Sequence, residues 1–139
     1  MLARFLVVAL LLSTAAFALG QDASLPKAAV APKYPSLAVQ GRISGVVVVR
    51  TTVGSAGEVS QVEVVSGHPM LKEAAVEAAK NWKFESASAQ TRAVTLRFSF
   101  VILPEKAESE GETTFLPPDQ IEISKRPLPP TINYEHRGQ

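Results

Sequence analysis

Two histidines, His68 and His136, and no cysteine are the chain's whole supply of soft metal ligands. A zinc site gathers three or four His, Cys or carboxylate ligands, usually at short spacings. These imidazoles stand far apart, with no thiol to complete a set, so no metal is expected. Serines are plentiful, yet no Gly-x-Ser-x-Gly elbow, no Ser-x-x-Lys box and no His-Glu-x-x-His occurs. Glu73 and Glu77 read as the solvated face of a helix. The chain is therefore expected to need no cofactor and not to be an enzyme. What remains is recognition chemistry. In the run Arg92, Ala93, Val94, Thr95, Leu96, Arg97, Phe98, Ser99, Phe100, Val101, apolar residues alternate with polar ones, and two guanidinium groups punctuate them. Such a run at a sheet edge offers unpaired N–H and C=O groups to an extended peptide. Arg92 and Arg97 would then select an acidic or polar segment.

The elements that must position this edge are legible in periodicities. Residues 43–53 are rich in Val, Ile and Thr, whose β-branched side chains fit a pleated sheet better than a helix. Gly54-Ser55-Ala56-Gly57 allows a reversal, and Val59, Val62, Val64 and Val65 mark a second strand, making a hairpin. Pro69 suits a first helical turn, where its missing N–H loses no partner. Leu71, Ala74, Ala75, Ala78 and Trp82 then recur at spacings of three and four, one apolar stripe of a short amphipathic helix. Residues 94–102 alternate with period two, the pattern of a half-buried strand. Strand, strand, helix, strand predicts an α+β fold: a small open three-stranded antiparallel sheet in the order 2-1-3, with one helix on one face. Leu96, Phe98 and Phe100 are expected in the core, so that the backbone of this strand rather than its rings would bind. Trp82 and Phe84 are expected to close the helix onto the sheet, and Tyr34 and Pro35 to pack the lead-in across it, with an interface role as the alternative for all four.

Around this module lie three segments of different character. Residues 1–20 hold a basic start at Arg4, an uncharged apolar stretch and small residues at the end, as a secretory signal peptide does. Cleavage is expected before Gln21; an uncleaved short membrane anchor is the alternative, although a spanning helix wants about 20 apolar residues. Residues 21–30 are an Ala- and Pro-rich lead-in, the folded domain spans 31–103, and residues 104–139 form a Pro-rich acidic tail. The tail is expected to be disordered, because its composition cannot bury much. Within it, Gln120-Ile121-Glu122-Ile123-Ser124 and Thr131-Ile132-Asn133-Tyr134 are weakly extended and suited to add a short strand or meet a partner.

Charge narrows the class of partner. The chain carries 14 basic and 13 acidic residues, and loss of Arg4 with the signal leaves 13 of each, a balance that argues against nucleic acid. The distribution is uneven: residues 33–103 hold eight basic and five acidic groups, residues 104–139 four and seven.

Several of these residues fall in a familiar order. Pro32-Lys33-Tyr34-Pro35, Ala38, Gly41, Gly45, Gly57, the valine-rich second strand, Val64-Val65-Ser66-Gly67, Leu71, Ala74-Ala75 and Asn81-Trp82-Lys83-Phe84 together resemble the TonB C-terminal domain family, over residues 31–103. The resemblance implies a periplasmic module that grips outer-membrane receptors, its last strand receiving an extended peptide, and that transmits force from an inner-membrane motor in TonB-dependent transport. By that resemblance the partner-binding edge is Arg92 and Val94, Thr95, Leu96, Arg97, Phe98, Ser99, Phe100 and Val101. The chain departs from a full transducer in its short lead-in, about a dozen residues spanning some 40 Å when extended, and in lacking a persuasive anchor helix with a polar residue. Contact with inner-membrane motor proteins is expected only if the N-terminus stays uncleaved. The alternative is a soluble envelope adaptor or structural protein, without energy transduction, that binds through its Pro-rich tail. A module this small also invites a homodimer or a bound strand to extend its core.

Overall fold

The computed structural model describes residues 25–86 and 90–129. In chain order it contains β1 (Pro26–Ala28), α1 (Ser36–Gln40), β2 (Gly45–Val53), β3 (Val59–Ser66), α2 (Pro69–Lys80), β4 (Lys83–Phe84), β5 (Arg92–Ile102), β6 (Thr113–Leu116) and β7 (Gln120–Lys125). The expected signal peptide and the 131–134 segment lie outside the described residues. Among those described, no helix is long and apolar enough to cross a membrane.

The period-two pattern of β2 is the organising feature. Val47, Val49, Thr51 and Val53 are fully buried, while Val46 and Arg50 face solvent. β2 pairs antiparallel with β3 on one side and with β5 on the other, the latter through nine residue pairs from Gly45 opposite Phe100 to Val53 opposite Arg92. This reproduces the expected 2-1-3 order and helical crossing. The helix α2 begins where Pro69 suggested. His68 caps it, its Nδ1 accepting from the backbone N–H of Met70 at 3.2 Å. Leu71, Ala75, Ala78 and Ala79 are buried in one cluster with Val47, Val49, Leu96 and Phe98, the helix lying mainly over β3 and β2; small alanines let the helix approach the sheet closely.

Trp82 follows the helix and ties the layers together. Its indole N–H donates to the carbonyl of Val30 at 2.8 Å, and its ring lies 5.9 Å from Phe84 and 6.0 Å from Phe98. β4 pairs with the lead-in strand β1 and also meets the β2–β3 turn, where the N–H of Phe84 donates to the carbonyl of Gly57 at 2.8 Å. Only glycine fits there: Gly57 has φ of 89°, and a Cβ would lie 1.9 Å from the Phe84 oxygen.

The sheet is wider than expected. It has five strands in the order β3-β2-β5-β7-β6, because the tail adds two. β7 runs parallel to β5, with Arg97 opposite Gln120 and Ile102 opposite Lys125 at the ends of the register, and β6 folds back antiparallel on β7. The expectation of a disordered tail is corrected for residues 104–129. Average composition hid two isoleucines spaced two apart: Ile121 and Ile123 are 2% and 3% exposed, opposite Phe98 and Phe100. A segment that docks on an existing core needs no core of its own. Local hydrogen bonds fix the hairpin's base, where Ser124 N–H donates to the Glu112 carbonyl at 2.9 Å and its hydroxyl accepts from Glu112 N–H at 3.0 Å. Gly111, at φ of 128°, allows this close approach. Arg42 and Glu105 form an exposed ion pair between the α1–β2 turn and the start of the tail.

Candidate protein-binding edge

β5 has two faces and one outward edge. Leu96, Phe98 and Phe100 are buried toward α2, as expected; Thr95 and Arg97 are exposed on the opposite face, and Val94, Ser99 and Val101 are half-buried. The strand is paired with β2 from Arg92 to Phe100, and the Thr51 hydroxyl adds a bond to the Val94 carbonyl at 2.8 Å. Its residues are thus rigidly placed, and what they offer a visitor is backbone.

The outward edge is divided. From residue 97 to 102 it is taken by β7, with the Arg97 N–H donating to the Asp119 carbonyl at 2.9 Å and the Leu103 N–H to the Lys125 carbonyl at 2.8 Å. Residues 93–96 have no strand beside them on that side among the described residues. The open three-stranded edge read from the sequence is therefore half covered by the chain's own tail. The sheet's outer edges are now β3 and β6. All four residues of β6 are exposed, Phe115 at 40% and Leu116 at 42%.

The two arginines part company. The Arg92 guanidinium bonds the Glu85 carbonyl at 2.7 Å and braces the segment after β4, whereas Arg97 stands exposed next to the β7 backbone, on the face that also carries Glu122. Of the four residues given packing or interface roles, three are core. Trp82 and Phe84 are 1% and 2% exposed. The Tyr34 hydroxyl donates to the Ile43 carbonyl at 2.6 Å, and its ring meets Phe100 edge-on at 5.2 Å; burial raises its phenol above the ordinary value near 10. Pro35 is half-buried and precedes α1, its carbonyl accepting from the Val39 N–H at 3.0 Å. Among the described residues no group of three or more His, Cys, Asp or Glu stands ready to hold a metal. Ile121 and Ile123 lie in the segment read as suited to add a short strand, and here it does so beside β5; Phe115 of β6 was missed and has no such alternation around it.

Residues 30–102, a little over half of the chain, match the model of the Gram-negative bacterial TonB protein C-terminal family. The chain belongs to that family. The match to this TonB C-terminal domain ends at the last residue of β5, so the β6–β7 hairpin lies wholly beyond it. Among solved structures, the solution NMR structure of the Pseudomonas aeruginosa TonB C-terminal domain is similar, at 28% identity over 58% of this chain and 88% of that one, with a TM-score of 0.47. No curated protein sequence matches the chain.

Proposed function

We propose that this TonB-family chain is a periplasmic protein-binding module that captures an extended peptide of an outer-membrane receptor or other envelope protein by strand addition along β5, in TonB-dependent transport. One observation carries the reading: the outward edge of β5 already receives a strand, β7, through a six-residue register. An edge that accepts one extended segment in this geometry has the N–H and C=O spacing to accept another. Family membership supports the envelope setting, and the absence of a catalytic constellation in the sequence fits a binding role. The partner-facing groups are the backbone of residues 94–101, of which 97–101 must first be released by β7, together with the exposed Arg97 side chain. Photocrosslinkers placed at Thr95 and at Val101 in cells should trap the same envelope protein, while one at Glu73, on the exposed side of α2, should not. Equal trapping from all three positions contradicts an edge-specific contact.

A second reading keeps the module as an envelope adaptor that binds through its tail. It is favoured by the exposed outer edge of β6, with Phe115 and Leu116 on its two faces. In that case a crosslinker at Thr114 traps the partner and one at Thr95 does not.

A further inference from the structure

We infer that the groove between the lead-in and α2 is a second docking surface, and that it takes an extended basic segment of a second envelope protein, patterned apolar, any residue, basic, any residue, apolar. No residue of β5 lines this groove, so it stands or falls apart from strand capture.

The groove is built before any partner arrives. Two cavities, of about 540 and about 180 Å³, share Lys33, Ala74 and Glu77 and so form one channel along α2. One wall is the lead-in with α1. It is pinned by the Trp82 N–H on the Val30 carbonyl at 2.8 Å and by the Tyr34 hydroxyl on the Ile43 carbonyl at 2.6 Å. The other wall is α2, whose first turn is fixed by the His68 cap. Walls already held in place leave the partner to order only itself, which lowers the cost of binding.

Apolar surface gathers at the two ends. Leu37 is 66% exposed, the most exposed of the large apolar side chains among the described residues, and it lines the wide end together with Met70. Val30, also exposed, lines the narrow end. None of the three belongs to the core cluster. Between the ends, Glu73 and Glu77 stand exposed one helical turn apart, with no ion-pair partner among the described residues. Like charges at that spacing repel. Lys33 is the one cation along the channel, since Lys72 and Lys80 do not line it. A lysine or arginine from a partner relieves the repulsion, whereas another carboxylate adds to it.

Spacing sets the pattern. At 1.5 Å per helical residue, the midpoint of Glu73 and Glu77 lies about 7.5 Å from Met70 along α2, and Ala78 lies about 12 Å from it. Residues on one face of an extended chain recur about every 6.6 Å. An apolar side chain between Leu37 and Met70 therefore places the residue two further on at the carboxylates. The next on that face, about 13 Å along, arrives beside Val30 and Ala78.

The probe is the capped peptide Leu-Ser-Arg-Ser-Leu, with Leu-Ser-Glu-Ser-Leu and Ser-Ser-Arg-Ser-Ser as controls, each titrated into the isotope-labelled full-length chain and followed by NMR. The arginine peptide should shift the amides of residues 36–37 and 70–78 saturably, and bind about tenfold more tightly than either control, a difference of about 1.4 kcal/mol. Glu73→Gln with Glu77→Gln should erase its advantage over the glutamate peptide, together with its weakening by salt. Leu37→Ser, at a side chain outside the core, should weaken it without changing the spectrum of the core. Equal binding of the arginine and glutamate peptides, or an affinity untouched by these variants, overturns the groove as the site. Shifts confined to residues 93–96 also overturn it and leave strand capture by β5 standing. Saturable shifts in the groove with β5 unmoved support it whatever the fate of the β5 reading.

Discussion

Truncating Ile121 and Ile123 to alanine, singly and together, separates a detachable hairpin from a continuous core. In a rigid core each large-to-small change costs about 2–5 kcal/mol, from lost transfer energy and the cavity left behind. Both side chains are nearly inaccessible, at 2% and 3% exposure, so each should approach that range if global unfolding must expose it from a packed native state. Two such changes in one indivisible core would then remove about 4 kcal/mol or more. A hairpin that undocks on its own sets a ceiling, because once one truncation has released it the other has no packing left to lose. The double variant should therefore be less stable than the worse single by under about 1 kcal/mol, a non-additivity expected of neighbours that act as a unit. Urea unfolding followed by the fluorescence of Trp82, the only tryptophan, reads the core as a whole, since its ring also meets Phe115 of β6 edge-on at 6.1 Å. Native-state hydrogen exchange reads the hairpin: the amides of β7 should lose their protection in the single variants while those of Val47 and Val49 keep theirs. Strict additivity of the two truncations, with protection in β7 and β2 falling in step, would refute the division into module and occupant.

Further outcomes follow from the same geometry. Gly57→Ala should destabilise the chain by about 2–4 kcal/mol in urea titration, since it combines left-handed backbone strain with loss of the Phe84 to Gly57 hydrogen bond. Tyr34→Phe should cost about 1–2 kcal/mol by removing the donor to the Ile43 carbonyl. Because the folded-state phenol titrates above its unfolded value, the parent's Tyr34 contribution is complete below about pH 10 and declines as pH rises through the folded pKa; the phenylalanine variant should lose this part of the alkaline decline. N-terminal sequencing of the exported protein should begin at Gln21, and an intact Met1 would point to an anchored chain.

The parts of the fold that were legible are those whose pattern is local and long. Val46 to Val49 and the alternation through Leu96, Phe98 and Phe100 each announce a strand, and the spacing from Leu71 to Trp82 announces a helix with its apolar side. The short elements carried too little signal. α1 is five residues between Pro35 and Gly41, too few to show a period of 3.6, and β1 and β4 have three and two residues, β4 meeting the β2–β3 turn through Phe84 and the lead-in joining β4 and the Trp82 indole. The tail misled for another reason. Its prolines and glutamates dominate any average, while its docking depends on Ile121 and Ile123 meeting Phe98 and Phe100 from a distant part of the chain, with Gly111 permitting the approach to Ser124. A parallel pairing across that separation has no local signature. The candidate site inherited both outcomes: the strand and its inward residues were found, and Gln120–Ser124 was read as able to add a strand, but not that it lies beside β5.

Strand capture by β5 is tested most directly by interstrand contacts in solution. With the labelled full-length chain saturated by an unlabelled peptide of residues 119–125, the peptide's backbone should give nuclear Overhauser contacts to β5 between residues 94 and 101, with the chain's own β7 contacts weakened in proportion. Peptide contacts confined to α2 or to the outer edge of β6, with the β5–β7 contacts undiminished, would contradict it.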